Sequence, residues 1–300
     1  MIKRTLCINN PAFLKKQDNQ LVIERDKEVI DTIPIEDIGV VILDHYQIAL
    51  TGASINAILA NDGVIITCDA THHPSGVLLP VAGNSLHSEI FRAQVESSIP
   101  LRKQLWMQTM KAKILNQAAV LEAKEIDAEP LQRYAKDVRS GDPNNYEGRA
   151  AAFYWKRVFP TLPEFTRERE GVFPNVLLNY GYAVLRATVA RGIVSAGLHP
   201  ALGIHHRNRY NAFCLADDLM EPYRPFVDQI VQAMVEECGD IIDLVPETKR
   251  RLLSVLGNDV IIEGERKPLQ LGISRTCSSL VKCFGKETAK ILYPGFYAPE

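Results

Sequence analysis

The chain reads as an α+β protein, a small β-rich N-terminal domain (residues 1–82) followed by a larger α-helical domain (residues 83–300). Three observations predict this. Up to Pro80 the sequence falls into short runs rich in Val, Ile and Thr, separated by turn residues, which is the pattern of strands. From Ile90 onward the apolar period lengthens to that of helices. A hydrophobic content of 46% over 300 residues can bury one large core or two moderate ones.

In chain order, TLCI, QLVIER, VIDTIPI, GVVILD and GVIITCD are the strands of the first domain. One helix interrupts them: Thr51 is suited to cap GASINAILAND, and Gly63 returns the chain to strand. GVLLP, ending at Pro80, is the last strand, and the small polar segment VAGNSLHS, residues 81–88, is the linker. FRAQVESSI opens the helical part, and beyond Pro100 LRKQLWMQTMKAKILNQAAVLEAKE is long and amphipathic. LQRYAKDVRS, NYEGRAAAFYWKRVF, NVLLNYGYAVLRATVARGIVSAG, PYRPFVDQIVQAMVEE and the basic TKRRLLSVLG continue the period. A hairpin is predicted around DVIIEGERKPL, and a closing helix near LVKCFGKETAKIL.

Composition narrows the class. Cys7, Cys68, Cys214, Cys238, Cys277 and Cys283 form no CxxC pair or regular spacing, which argues against a zinc ribbon or a disulfide framework. The N-terminus lacks a long apolar run, and no stretch reaches the ~18 apolar residues of a membrane span. The expectation is a reduced, soluble, cytoplasmic protein without a membrane partner. Net charge is −2, but it is unevenly spread: residues 1–90 hold 6 Lys/Arg against 11 Asp/Glu, and residues 91–300 hold 28 against 25. The later part clusters its basic groups at Arg102 and Lys103, Lys156 and Arg157, Arg167 and Arg169, and Lys249, Arg250 and Arg251. A solvated face is the ordinary explanation of any one cluster, yet local basic patches also let a near-neutral protein bind nucleic acid.

The chemistry concentrates between Gly197 and Pro225, in GLHPALGIHHRNRYNAFCLADDLMEPYRP. A loop punctuated by Gly and Pro presents His205 and His206 side by side and leads into Asp217, Asp218 and Glu221. Mixed imidazole and carboxylate donors suit a catalytic divalent cation. Arg207, Arg209 and Arg224, interleaved among them, suit phosphate. Asp218 and Glu221, at i and i+3 of a helical turn, can share a face, with Asp217 turned elsewhere. A further carboxylate, Glu147, follows the turn residues GDPNN at the start of a helix; from position alone it could simply complement the helix dipole. Asn175, Asn179, Tyr182 and Arg186 make one polar stripe on an otherwise apolar helix. That stripe either faces solvent or lines the floor of a site. No P-loop, Rossmann fingerprint or Ser/His/Asp triad competes.

The elements NNYEGRAA, GIHH and DLMEPYRP together resemble the signature of the CRISPR-associated spacer-acquisition integrases, in the version found with single-effector (type II) systems. That family carries a glutamate far upstream, a histidine after a G-φ-x-H turn, and an acidic residue within D-L-x-E-x-x-R-P. The resemblance implies that Glu147, His206 and Glu221 bind Mg²⁺ or Mn²⁺ and are catalytic, with Asp218, Asn179 and His205 in support, Asp218 either as a second ligand or as a partner of the ligands. His205 would be a group on the substrate side or a structural one. The resemblance also implies transesterification, in which a DNA 3′-hydroxyl attacks a phosphodiester to insert a prespacer into a CRISPR repeat. The implied partners are double-stranded and branched DNA, a second copy joined through the β domain, and a small companion subunit. Arg207, Arg209, Arg224, Lys249, Arg250 and Arg251 are the expected DNA contacts. Two other readings remain open: a structure-specific nuclease that never joins strands, and a DNA-binding scaffold without chemistry.

Overall fold

The computed structural model describes residues 3–81, 84–168, 171–238 and 243–297. The N-terminal region contains strands β1 (Arg4–Ile8), β2 (Ala12–Gln17), β3 (Gln20–Arg25), β4 (Glu28–Pro34), β5 (Ile38–Leu43) and β6 (Ile48–Leu50), helix α1 (Gly52–Ala60), and strands β7 (Val64–Cys68) and β8 (Pro74–Leu78). They form two four-stranded sheets, ordered β1-β5-β7-β8 and β4-β3-β2-β6. In the first sheet β1, β5 and β7 run parallel and β8 closes antiparallel to β7. Thr51 caps α1 as expected, its side chain accepting from the Ser54 amide. β2 and β6 were not expected. In β2 the apolar alternation rests on Ala12 and Leu14 alone before Lys15 and Lys16 interrupt it, and β6 is only three residues long.

Period-two alternation assigns β5 and β7 to two different cores. Val41 and Ile65 point between the two sheets, where they pack with Leu14, Leu21, Ile33 and Ile58, and Ile38 joins them because the register shifts at Gly39 between Ile38 and Val40. Val40, Ile42, Val64 and Ile66 point the other way and belong to the core of the helical part. Both strands are therefore buried on both faces, as expected for a parallel centre covered on each side. The boundary expected between residues 82 and 83 lies outside the described residues.

The helical part follows the sequence pattern: α2 (His87–Val95), α3 (Ile99–Glu122), α4 (Glu129–Asp137), α5 (Tyr146–Trp155), α6 (Asn175–Ser195), α7 (Cys214–Met220), α8 (Arg224–Cys238) and α9 (Pro246–Leu253). The hairpin β9 (Asp259–Ile262) and β10 (Glu265–Pro268) leads into α10 (Leu269–Phe284), and β11 (Gly295–Phe296) pairs back onto β9. The closing helix lies earlier than expected. Leu269, Ile273, Cys277, Leu280 and Phe284 supply its buried stripe, and Gly285 caps it before KETAKIL begins. α6 runs through the middle, with apolar groups such as Leu177, Leu178, Leu185 and Ile193 almost fully buried. It packs against α7, α8, α9, α10 and the strands β7 and β8. Gly197, at φ +85°, takes the left-handed conformation that ends α6 and turns the chain toward the histidines. Among the described residues, no helix is long and apolar enough to cross a membrane.

Candidate active site

The GDPNN turn explains where Glu147 stands. Asp142 accepts the amides of Tyr146 and Glu147, and Asn145, itself at φ +51°, accepts that of Gly148. The first turn of α5 is thereby fixed, and Glu147 projects toward α3. There it meets Lys113, whose Nζ lies 2.8 Å from Glu147 Oε1 and 2.6 Å from Glu221 Oε2. Glu221 caps the C-terminus of α7 and is 7% exposed at its side chain, against 34% for Glu147. Its other oxygen, Oε1, lies 3.0 Å from Arg224 Nη2. Two carboxylates separated by 74 positions in the sequence thus meet across one ammonium group.

The electrostatics follow from that meeting. Burial opposes the charge of Glu221, yet Arg224 and Lys113 outweigh it and hold the carboxyl below its ordinary value. Burial likewise opposes the charge of Lys113, and Glu221 and Glu147 together hold the amine above its ordinary value. Lys113 approaches Glu221 Oε2 off the hydrogen-bonding direction, so this buried oxygen has an ion pair but no hydrogen-bond donor.

The histidines are organised by Asp218, which is fully buried. One oxygen accepts the His205 amide at 2.9 Å; the other takes the His206 amide at 3.2 Å and His206 Nδ1 at 2.6 Å. A carboxylate only accepts, so Nδ1 carries the proton and Nε2 is left as the free donor atom of the ring. The hydrogen bond to Asp218 is the chief reason the His206 pKa is raised, and the charge of Glu221 adds to it. His205 stacks on Trp106, ring centroids 4.0 Å apart and nearly parallel, with burial lowering its pKa. Gly203 permits this packing: a Cβ there would sit 2.4 Å from the His206 carbonyl oxygen and 2.7 Å from Asp218 Oδ2. Gln94 of α2 fastens the other end of the loop, donating to the His199 and Leu202 carbonyls and accepting the His199 amide.

The sequence-expected residues divide into several groups. Glu147 and Glu221 converge, and the charge of Glu221 reaches His206 while that of Glu147 reaches His205. Among the described residues, however, no three His, Cys, Asp or Glu side chains are placed so that they could hold one metal ion, and Lys113 contacts both carboxylates. The donors nevertheless suit a hard divalent cation: two carboxylates from separate helices, a buried carboxylate oxygen without a hydrogen-bond donor, and an imidazole whose other nitrogen is fixed. Asp218 supports His206, and Asp217 turns away to pair with Arg186 at 2.6 Å. Arg207 and Arg209 are exposed and, with His206, line a cavity of about 390 Å³ that also takes in Arg102 and Asn208.

The remaining expected residues take other partners. Lys249 is 3% exposed and pairs with the buried Asp44 of the β region at 2.5 Å, because that carboxylate requires a countercharge where the two parts meet; it has no free face for DNA. Arg224 is turned to Glu221 and to the face of Tyr182, with its side chain 31% exposed. Arg250 and Arg251 reach the surface but pair there with Glu247 and Glu237. The polar stripe of α6 is taken up by partners within the protein, with Arg186 partly exposed. Asn175 and Asn179 accept from Arg167, Tyr182 donates to Asp228, and Arg186 meets Asp217. Arg169 lies outside the described residues, as does the Cys238 side chain. Lys113, Trp106 and Gln94 were not singled out from the sequence. Their signal was there: Trp106, Met110, Lys113 and Gln117 recur at i, i+4, i+7 and i+11, which sets a lysine on the buried stripe of α3.

Comparison with known proteins gives a consistent result. The family model described as "CRISPR associated protein Cas1" matches residues 6–239. The chain is 37% identical to the CRISPR-associated endonuclease Cas1 of Neisseria meningitidis serogroup C (strain 8013) over 294 residues, which are 97% of this chain and 95% of that protein. Among solved structures, a casposase bound to integration product superposes with a TM-score of 0.78 at 22% identity, covering 97% of this chain and 92% of that one. The Cas1-containing chain of a Cas6-RT-Cas1–Cas2 complex gives 0.75 at 19% identity, covering 96% of this chain and 35% of that one. At such identities these two structures share the fold.

Proposed function

Because the chain belongs to the Cas1 family of CRISPR-associated proteins, we propose that it is a divalent-metal-dependent DNA endonuclease and integrase that inserts prespacer DNA into a CRISPR repeat array. The reaction is a transesterification. A 3′-hydroxyl of the incoming DNA attacks a phosphodiester of the repeat, a new phosphodiester forms, and the 3′-oxygen of the cut strand leaves and takes up a proton. With water as the attacker, the same site hydrolyses. The observation that carries this reading is the meeting of Glu147 and Glu221 at one cationic position beside His206.

Glu147, Glu221 and His206 Nε2 would hold Mg²⁺ or Mn²⁺, which when bound supplies Lewis acidity to the phosphate and to the attacking and leaving oxygens. Asp218 keeps the proton on His206 Nδ1 and fixes the ring, so that Nε2 faces the site without reorientation. Trp106 holds His205 and leaves the adjacent histidine its one direction. Arg224 anchors one oxygen of Glu221 and orients the other toward the centre. Arg207 and Arg209 stand where flanking phosphates would be neutralised. The substrates on this reading are double-stranded and branched DNA, and the partners are a second copy of the chain and a small companion subunit. Relatives of the same fold that are described with an integration product and within a Cas1–Cas2 complex support those assignments.

The test is a joining assay with a labelled duplex bearing free 3′-hydroxyls, a repeat-containing target, and Mn²⁺ or Mg²⁺. Branched product is expected from the unmodified protein and none from Glu221→Ala, while a gel-shift titration of that variant without added metal stays near the unmodified affinity, since phosphate contacts carry the binding. Cutting without joining would reduce the protein to a structure-specific nuclease. DNA binding with neither reaction would make it a scaffold.

A further inference from the structure

Lys113 is a buried cation on α3 with a side chain 10% exposed, held between two carboxylates of two other elements. Counting charges at the centre, Glu147 and Glu221 are balanced by Lys113 and Arg224. A divalent ion entering between the carboxylates would meet an ammonium already in contact with both. Like charges at such distances, away from bulk water, repel strongly. Without Lys113, two carboxylates would face each other across a largely buried gap, which is also costly.

We propose that Lys113 is a built-in countercation: it holds Glu147 and Glu221 together in the metal-free protein, and it must leave the gap for a divalent ion to bind. This rests on the reading of Glu147 and Glu221 as metal ligands. Displaced from the carboxylates, the ammonium would be compensated by the non-bridging oxygens of a bound phosphodiester. The centre therefore binds its ion weakly alone and more tightly with DNA present. Lys113 is a positioning residue on this account, since it acts through the two carboxylates.

The experiment measures Mn²⁺ binding by calorimetry and melting temperature with and without Mn²⁺, using the unmodified protein, Lys113→Met, Glu147→Gln, Glu221→Gln and the double variant Lys113→Met/Glu147→Gln. Lys113→Met is expected to bind Mn²⁺ about tenfold tighter or more. It should melt lower than the unmodified protein without metal and gain more on adding Mn²⁺. Adding Glu147→Gln should restore the metal-free melting temperature, because Glu221 then keeps its one partner, Arg224. Were Lys113 merely filling space, that second substitution would restore nothing. Mn²⁺ affinity unchanged or weakened in Lys113→Met overturns the proposal, as does a double variant that melts no higher than the single one. If Glu147→Gln and Glu221→Gln leave Mn²⁺ binding intact, the metal-site reading falls and takes this proposal with it. If those two weaken binding while Lys113→Met changes nothing, the countercation alone is wrong. Should Lys113→Met fail to fold in the absence of metal, recovery or failure of the double variant decides the question.

Discussion

Asp218 shows how much of the centre depends on a residue that need not touch substrate. It spends both oxygens on the backbone and ring of adjacent histidines. An Asp218→Asn change keeps the shape but can present its amide hydrogens to His206 Nδ1, favouring the tautomer with the proton on Nε2. Joining should fall by ~10–100-fold, the usual cost of losing such a supporting contact. DNA affinity by gel shift should stay near the unmodified value; a variant that joins at full rate would show that His206 is oriented by something else. His206, Glu221 and Asp218 were legible because their types and spacing are unusual within a short stretch. Lys113 was not, because a lysine in an amphipathic helix ordinarily lies on the wet face. The period shared with Trp106, Met110 and Gln117 is what puts this one on the dry side.

At the level of elements, α5, α6 and α8 are tied by a buried carboxylate. Asp228 accepts from Tyr154 at 3.0 Å and also from Tyr182, and burial pushes its pKa up to about 6 in spite of both hydroxyls. Because the folded value lies above the unfolded one, the stability this group contributes is complete below pH ~4 and is lost as pH rises through about 6. The rise from 3.8 to about 6 corresponds to ~3 kcal/mol. Asp228→Asn removes the ionisation, so the melting temperature of the variant minus that of the unmodified protein should climb between pH 4 and pH 7, by thermal unfolding in matched buffers. A flat difference would mean that Asp228 titrates normally. The helices of this region were legible from their period. β2 and β6 were not singled out, because the lysines of β2 break its alternation and three residues of β6 carry too little pattern to separate from loop.

For the molecule as a whole, the uneven charge predicted that DNA lies on the helical part, and the fold narrows which cations can serve. Arg207→Gln or Arg209→Gln should each lower the slope of log affinity against log salt by about 0.9 if each meets one phosphate. Lys249→Met should leave that slope alone and instead destabilise the protein by up to about 3 kcal/mol, since it takes the ammonium from the buried Asp44 and leaves that carboxylate only His72. Salt titrations and denaturant unfolding on the same three variants separate the two roles. Lys3, Arg4, Lys15 and Lys16, on the β side, serve as neutralisation controls with an unchanged slope. The two-part architecture was legible, but the doubly buried β5 and β7 were not read as joining the parts: alternation tells which residues share a face, and not what covers it.

The segment from His199 to Asn211 has no regular secondary structure, yet Gln94 ties down its beginning and Asp218 its histidines before any DNA arrives. The consequence is kinetic. A loop that ordered only on contact would limit association by its own rearrangement, giving an observed rate that levels off as DNA is increased. A loop already in place leaves encounter as the slow event, so the observed rate should rise linearly with DNA concentration and fall steeply with salt. Releasing the loop with Gln94→Ala should convert that straight line into a plateau.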